Sequence, residues 1–244
     1  MKQYGCSLSY DEMRKTVSLQ ELARRFVKAR TRHAFRSAVS ELLCEFRLDS
    51  LHRASLKKAR RFASERGLRL HFGCGAITKT GWVNIDLYSE KADLQLDARD
   101  SFPFADGSVS LIYSEHFFEH LEYPDEALSF LTESWRVLAL DGVLSMGIPD
   151  FELSVRSYVT GGEDYYRHQR EEKSPKWVTT PMDYLNRDFR QGREHKYAYD
   201  FQTLTRVLNE AGFTSVVRRA FNPGLDSLHR EWGTLYIEAR KLPV

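Results

Sequence analysis

The run His116-Phe117-Phe118-Glu119-His120 puts two imidazoles and a carboxylate within one short stretch of chain. On a helix, positions i, i+3 and i+4 share a face, so the three groups would converge. Imidazole and carboxylate together suit a divalent metal, and an i, i+4 histidine pair is the spacing by which HExxH holds zinc. Without a metal the same histidines could serve as a general base, and a purely structural role is the third alternative.

A second constellation lies earlier. Leu70-His71-Phe72-Gly73-Cys74-Gly75 reads as a strand that ends in Gly-x-Gly, where glycine allows a sharp turn and a close approach of ligand to backbone. A plain tight turn gives the same pattern. The next strand signal, Trp82-Val83-Asn84-Ile85, delivers Asp86 at its carboxyl end, where one carboxylate can accept both hydroxyls of a ribose. Asp97 stands similarly after a third short apolar run.

These residues need elements to hold them. From Leu68 onward, short apolar runs alternate with amphipathic stretches, the pattern of a mostly parallel sheet with helices on its faces. Strands are expected at 68–72, 82–86, 93–97, 109–114, 143–148, 214–220 and 233–240. A helix is expected after Tyr123-Pro124-Asp125-Glu126, with Leu128, Leu131, Trp135 and Leu138 as its stripe and Gly142 as its stop. Another should begin after Asp200 and end at Gly212. Only Ala76 to Gly81 separate the first two strands, too few for an ordinary helical crossover, so the first helix should be reduced to a turn. The polar, aromatic stretch 150–199 is too long for a simple connection and is expected to cover a substrate. Within it, Tyr158, Tyr165, Tyr166, Trp177, Tyr184, Tyr197 and Tyr199 could stack on a ring or pack on one another. Arg187, Arg190 and Arg193 could meet an anionic group or pair with Glu171, Glu172 and Asp188.

Residues 1–66 are different in kind. They hold 16 Lys+Arg against 7 Asp+Glu, while 67–244 hold 20 against 27, giving segments of +9 and −7. Ser18-Leu19-Gln20-Glu21 is a capping-box pattern for a helix to about Arg30. Phe35, Val39, Leu42, Leu43 and Phe46 recur at helical spacing, and a third helix is expected from Leu51 to Ser64. This basic helical extension could meet an acidic partner, a phosphorylated substrate or the surface of an anionic membrane, pack on the chain's own acidic domain, or be a solvated face. No apolar stretch reaches the ~18 residues of a membrane span, and no secretory leader is legible. Cys6, Cys44 and Cys74 lack the spacing of a disulfide framework or a zinc ribbon, so a cytoplasmic setting is expected. P-loop and GxSxG signatures are absent.

Taken in order, Gly73-Cys74-Gly75, Gly81-Trp82-Val83-Asn84-Ile85-Asp86, Phe102 to Gly107, Ser114 to Leu121 with its Glu119-His120-Leu121, and Leu138 to Val143 resemble the class I S-adenosylmethionine-dependent methyltransferases. The likeness is closest to a small bacterial branch whose first motif runs directly into Gly-Trp-x-Asn-x-Asp, and it covers about Leu68 to Lys241. It implies an α/β, Rossmann-like fold with a seven-stranded sheet and an S-adenosylmethionine site. Phe72, Gly73 and Gly75 would meet the methionine part, Asp86 the ribose, Leu87 one adenine face, Asp97 and Ala98 the adenine edge, and Ser114 the sulfonium. Two positions depart from the pattern: His71 replaces the acid before the first glycine, and Ile77 replaces the third glycine.

Under that resemblance His116, His120 and His195 are the candidate catalytic residues, and the expected acceptor is a small molecule or saccharide methylated on oxygen. The histidine spacing also resembles the Glu-x-x-Glu-His of metal-dependent RNA 2′-O-methyltransferases, which implies His116, Glu119, His120 and a distant His195 as metal ligands. RNA methylation is therefore the first alternative, although no RNA-binding module is visible and nucleic acid is not the expected partner. A non-catalytic nucleotide or nucleotide-sugar binder is the second. His33, His52, His168 and His229 have no such company and are expected on the surface or in the core.

Overall fold

The structure, a computed structural model, describes residues 28–171 and 174–243. The expected capping box at Ser18–Glu21 and Cys6 lie outside the described residues. The chain divides into two compact units, 1–49 and 50–244.

One helix, α1 (Ala29–Ala59), spans both units and runs on into a 3₁₀ turn at Arg60–Phe62. The separate helices expected around Phe35–Phe46 and Leu51–Ser64 are thus one, because no glycine or proline interrupts residues 29–59. In the first unit Phe35, Val39, Leu42, Leu43 and Phe46 are exposed. In the second, Ala59 is part of the main core, and the unit begins at Ser50, inside the segment that the charge pattern sets apart.

The second unit is built on a sheet of six strands: β1 (Leu68–Phe72), β2 (Val83–Ile85), β3 (Val109–Glu115), β4 (Leu138–Pro149), β5 (Ser215–Arg218) and β6 (Thr234–Arg240). Their order is β2-β1-β3-β4-β6-β5, with β2, β1, β3 and β4 mutually parallel and β6 antiparallel to both β4 and β5. This is a Rossmann-like α/β architecture. No helix connects β1 to β2, as their spacing requires.

The sheet has six strands where seven were expected, since 93–97 contributes only a single bridge, Leu94 to Ile85. The cause lies in α1. Ser55 Oγ accepts the amide of Gln95 at 2.8 Å and His52 Nδ1 accepts that of Asp97 at 3.0 Å, so those donors are unavailable to a ladder.

Helix α2 (Asp125–Val137) starts where its proline and acids predict but ends before Leu138, which belongs to β4 and not to the helix stripe. Leu138 pairs with Val109 and Val143 with Leu111; the residues between them bulge, with Asp141 at φ +61°. Lys241 Nζ donates to the carbonyls of Trp135 and Leu138 at 2.7 and 2.8 Å, which satisfies the acceptors left free where the helix becomes strand.

Segment 150–199 carries three helices, α3 (Phe151–Thr160), α4 (Glu163–Glu171) and α5 (Pro181–Arg190); Asp150 caps α3 and Thr180 caps α5 by accepting the amides of Leu153 and Asp183. Tyr165, Tyr166 and Tyr184 pack on one another with Val178 as a small separate core. Helix α6 (Phe201–Glu210) follows Asp200, whose Oδ1 accepts the Thr203 amide at 2.7 Å. Its Leu204, Val207 and Leu208 enter the main core beside Phe130 and Leu131 of α2. Tyr197 and Tyr199 stack with Tyr123 and Phe118 on that side. The other sheet face is unusually polar. It presents His71, Asn84, Tyr113, Glu115 and Ser145, all buried, and is covered by the connection 219–233. Among the described residues no helix is long and apolar enough to cross a membrane.

Candidate active site

At the carboxyl ends of β1 and β2, Gly73 and Gly75 turn the chain with φ of +66° and +51°, a region open to glycine at little cost. The Gly75 amide donates to Asp86 Oδ2 at 2.9 Å, while Oδ1 accepts the amides of Tyr88 and Ser89, each at 2.9 Å. Ser89 Oγ returns a hydrogen bond to the Gly75 carbonyl. A carboxylate has about four lone-pair positions, so Asp86 keeps about one for an external donor in this conformation. The two glycines face different surroundings. A Cβ on Gly73 would meet Phe117 at 2.7 Å, whereas one on Gly75 would meet nothing within 4 Å, so the space in front of Gly75 is open.

The other expected cofactor residues are less alike. Leu87 is half-buried beside Asp86, and Ser114, at the end of β3, is buried with its hydroxyl unpartnered. Asp97 is held by the Arg99 guanidinium at 2.6–3.1 Å, which keeps its carboxyl below the ordinary range despite burial. Phe72 and Ala98 lie in the main core, Phe72 against Phe102 and Phe130. In place of the usual acid, His71 is buried with Nδ1 3.4 Å from Asn84 Oδ1, and burial and the Lys79 charge push it down to about 4.

The histidine cluster forms, but not on a helix face. His116 has φ +50° and only Phe118–His120 makes a 3₁₀ turn, so the expected i, i+3, i+4 geometry is replaced by a sharp bend around Glu119. Glu119 is fully buried, and both its carboxylate oxygens lack a hydrogen-bond partner. Around its Oε1 stand His116 Nδ1, His120 Nε2 and His195 Nε2, each at 3.9 Å. His195 arrives from 76 residues away because the Lys196 amide donates to the Glu119 carbonyl at 2.8 Å. The remaining ring nitrogens are engaged: His116 Nε2 with Thr234 Oγ1 at 2.9 Å, His120 Nδ1 with the Glu194 carbonyl at 3.1 Å and His195 Nδ1 with the Asp188 carbonyl at 2.5 Å. Burial raises the Glu119 carboxyl to about 8 and lowers all three imidazoles, His116 furthest, with the Arg230 charge adding to its shift.

His116 and His195 line a cleft of about 940 Å³ between the three-helix segment and the connection 219–233. Trp177 and Arg187 face it, as does Tyr165 at the edge of its small core. Arg187 is paired with Asp188 at 2.8 Å, and Arg190 and Arg193 are exposed and do not line the cleft. Sequence reasoning missed the opposite wall: His229, Arg230, Trp232 and Thr234. Its signal was the density of ring and charged residues in Asp226-Ser-Leu-His-Arg-Glu-Trp-Gly-Thr234, in a connection too long for a simple hairpin. His229 thus lines the cleft, while His168 stacks on Trp232 at 3.9 Å, His52 is buried on α1 with its Nδ1 on the Asp97 amide, and the His33 side chain lies outside the described residues.

No curated protein matches the chain. Among solved structures it is similar to an S-adenosylmethionine-dependent methyltransferase of Archaeoglobus fulgidus (15% identity, 82% of this chain and 99% of that one, TM-score 0.44) and to one of Thermotoga maritima (17%, 86% and 98%, 0.42). A third is phosphoethanolamine N-methyltransferase 2 of Haemonchus contortus in complex with S-adenosylmethionine (11%, 78% and 53%, 0.43). Residues 40–146, a little under half of the chain, match the family model described as a methyltransferase domain.

Proposed function

We propose that the chain is an S-adenosylmethionine-dependent methyltransferase whose acceptor is an oxygen of a small polar molecule, a saccharide above all, held in the cleft. The observation that carries this reading is the meeting of Gly75 and Asp86 at the carboxyl ends of adjacent parallel strands, where open α/β sheets bind nucleotides. The match of residues 40–146 to a methyltransferase domain supports it. The residues fit the cofactor: space is open in front of Gly75, Asp86 keeps an acceptor position for a ribose hydroxyl, and the buried Ser114 hydroxyl lacks a partner.

The cofactor supplies a methyl group already activated on a sulfonium. The chain must then place the acceptor in line, exclude water and take up the hydroxyl proton. His116 is suited to the last task, since it lines the cleft and burial favours its neutral imidazole, with Nε2 held by Thr234 and Nδ1 3.9 Å from Glu119, beyond hydrogen-bond reach. Trp177, exposed at the cleft, offers a ring face to a sugar, while Asp150 and Arg230 offer polar partners for its hydroxyls.

Calorimetric titration of the full chain with S-adenosylmethionine and its demethylated product tests the reading. Binding in the ~micromolar range is expected for the wild type and is lost in Asp86→Ala. A folded wild type that binds neither compound overturns it. Given binding, labelled methyl transfer to a panel of saccharides tests the acceptor, with His116→Gln expected to lower kcat and leave cofactor affinity unchanged; transfer confined to amines overturns the oxygen assignment.

A further inference from the structure

We propose that Glu119, His120 and His195 bind a divalent transition-metal ion of the zinc type, as a two-histidine, one-carboxylate set. One ligand atom from each lies within 4.8 Å of the others. Both histidine Nε2 atoms stand 3.9 Å from Glu119 Oε1, too far for a hydrogen bond. Donors around a tetrahedral zinc stand roughly 3.3 Å apart, so the set needs only a small inward movement to close on an ion.

The polar atoms facing this space are otherwise stranded. Neither oxygen of the fully buried Glu119 has a hydrogen-bond partner, and neither does His195 Nε2. A buried carboxylate without donors is among the costliest groups a fold can keep, and a bound cation would satisfy it and the imidazole together. The surrounding bonds also fix the tautomers a ligand requires. Since a carbonyl can only accept, His120 and His195 must carry their protons on Nδ1, toward Glu194 and Asp188, which leaves the Nε2 lone pairs directed at Glu119.

The donor set selects the ion. Two imidazoles and one carboxylate suit zinc, iron, cobalt or manganese and disfavour calcium and magnesium, which take oxygen ligands. His116 stands apart from the three. Its Nδ1 is 3.9 Å from the same Oε1, but its Nε2 is bound to Thr234 and its ring faces the cleft, which leaves it free to act on a substrate. Such a set leaves coordination positions vacant, and His195 also lines the cleft, so an acceptor oxygen could reach the ion from there. That role rests on the methyl-transfer reading, whereas binding of the ion does not.

The test uses the full chain, stripped with a chelator and titrated with Co²⁺ while the visible absorption is recorded, and with Zn²⁺ in a calorimeter. Uptake of one ion per chain is expected, with a cobalt spectrum of nitrogen and oxygen ligands and with affinity at least about tenfold weaker in His120→Asn and Glu119→Gln. His120 is partly exposed, so its variant should fold, and circular dichroism checks both. A folded wild type that gives neither band nor heat overturns the proposal, as does unchanged affinity in both folded variants. Should the variants unfold, the wild-type cobalt spectrum decides alone. Titration of the same samples with S-adenosylmethionine separates the two readings: cofactor binding without metal uptake overturns only the metal site, and metal uptake without cofactor binding overturns only the methyl-transfer reading.

Discussion

The Gly75 amide donates to Asp86 Oδ2 at 2.9 Å and so ties the turn after β1 to the end of β2. The two glycines of that turn should respond differently to alanine. Gly73→Ala drives a methyl into Phe117 at a positive φ and should cost more than the ~1–2 kcal/mol of left-handed strain alone. Gly75→Ala carries the strain without the clash but fills the open space in front of the turn. We expect Gly73→Ala to lower Tm more and Gly75→Ala to weaken S-adenosylmethionine more. Thermal melts and calorimetry on both variants check this, and equal losses would contradict it.

Stability should depend on His71 in acid. Its folded value near 4 lies below the ordinary 6.5, so between those values the unfolded chain binds a proton that the folded chain refuses. Stability is therefore full above about pH 6.5 and falls toward pH 4 by up to about 3 kcal/mol. Urea midpoints at several pH values should show a shallower decline for His71→Gln than for the wild type. Parallel declines would place the acid sensitivity elsewhere.

Asp226 anchors the cover of the polar sheet face. It is buried and accepts from Arg219 at 2.6 and 2.7 Å, from the Tyr113 hydroxyl at 3.1 Å and from the Asn222 amide at 2.7 Å. Asp226→Ala leaves Arg219 buried without its counter-charge and should cost about 3–5 kcal/mol in denaturant unfolding. Because the same connection lines the cleft, any residual fold should lose acceptor affinity before cofactor affinity.

Lys241 should behave as a helix cap supplied from the far end of the chain. Lys241→Met keeps the stem over the Trp135 ring but removes the donors to Trp135 and Leu138. A loss of about 1–3 kcal/mol in urea unfolding is expected, with cofactor binding intact.

Much of this was legible in the chain itself, because local rules act within a few residues. The glycine turn, Asp86 and the start of α6 at Asp200 each follow from one short motif. The histidine cluster was legible in membership and not in geometry: residue types placed His116 near Glu119, but no spacing rule carries the bend made by the positive φ at His116. The third strand failed for a related reason. Leu94-Gln95-Leu96 alternates as a strand should, with both leucines buried, yet its amides were claimed by a helix some 40 residues upstream. For Tyr165, Tyr166 and Tyr184 the sequence left ligand stacking and mutual packing open, because an aromatic residue carries the same signal whether it meets a ligand or another ring.

The capture of those amides has a further effect. A strand with bare donors and acceptors along its rim is a template on which another polypeptide can add itself. Beyond β2 the rim ends instead in Ser55 and His52, side chains that no incoming strand can continue. A chain shortened to begin at residue 67 would bare those amides, and greater self-association than in the full chain is expected of it in sedimentation.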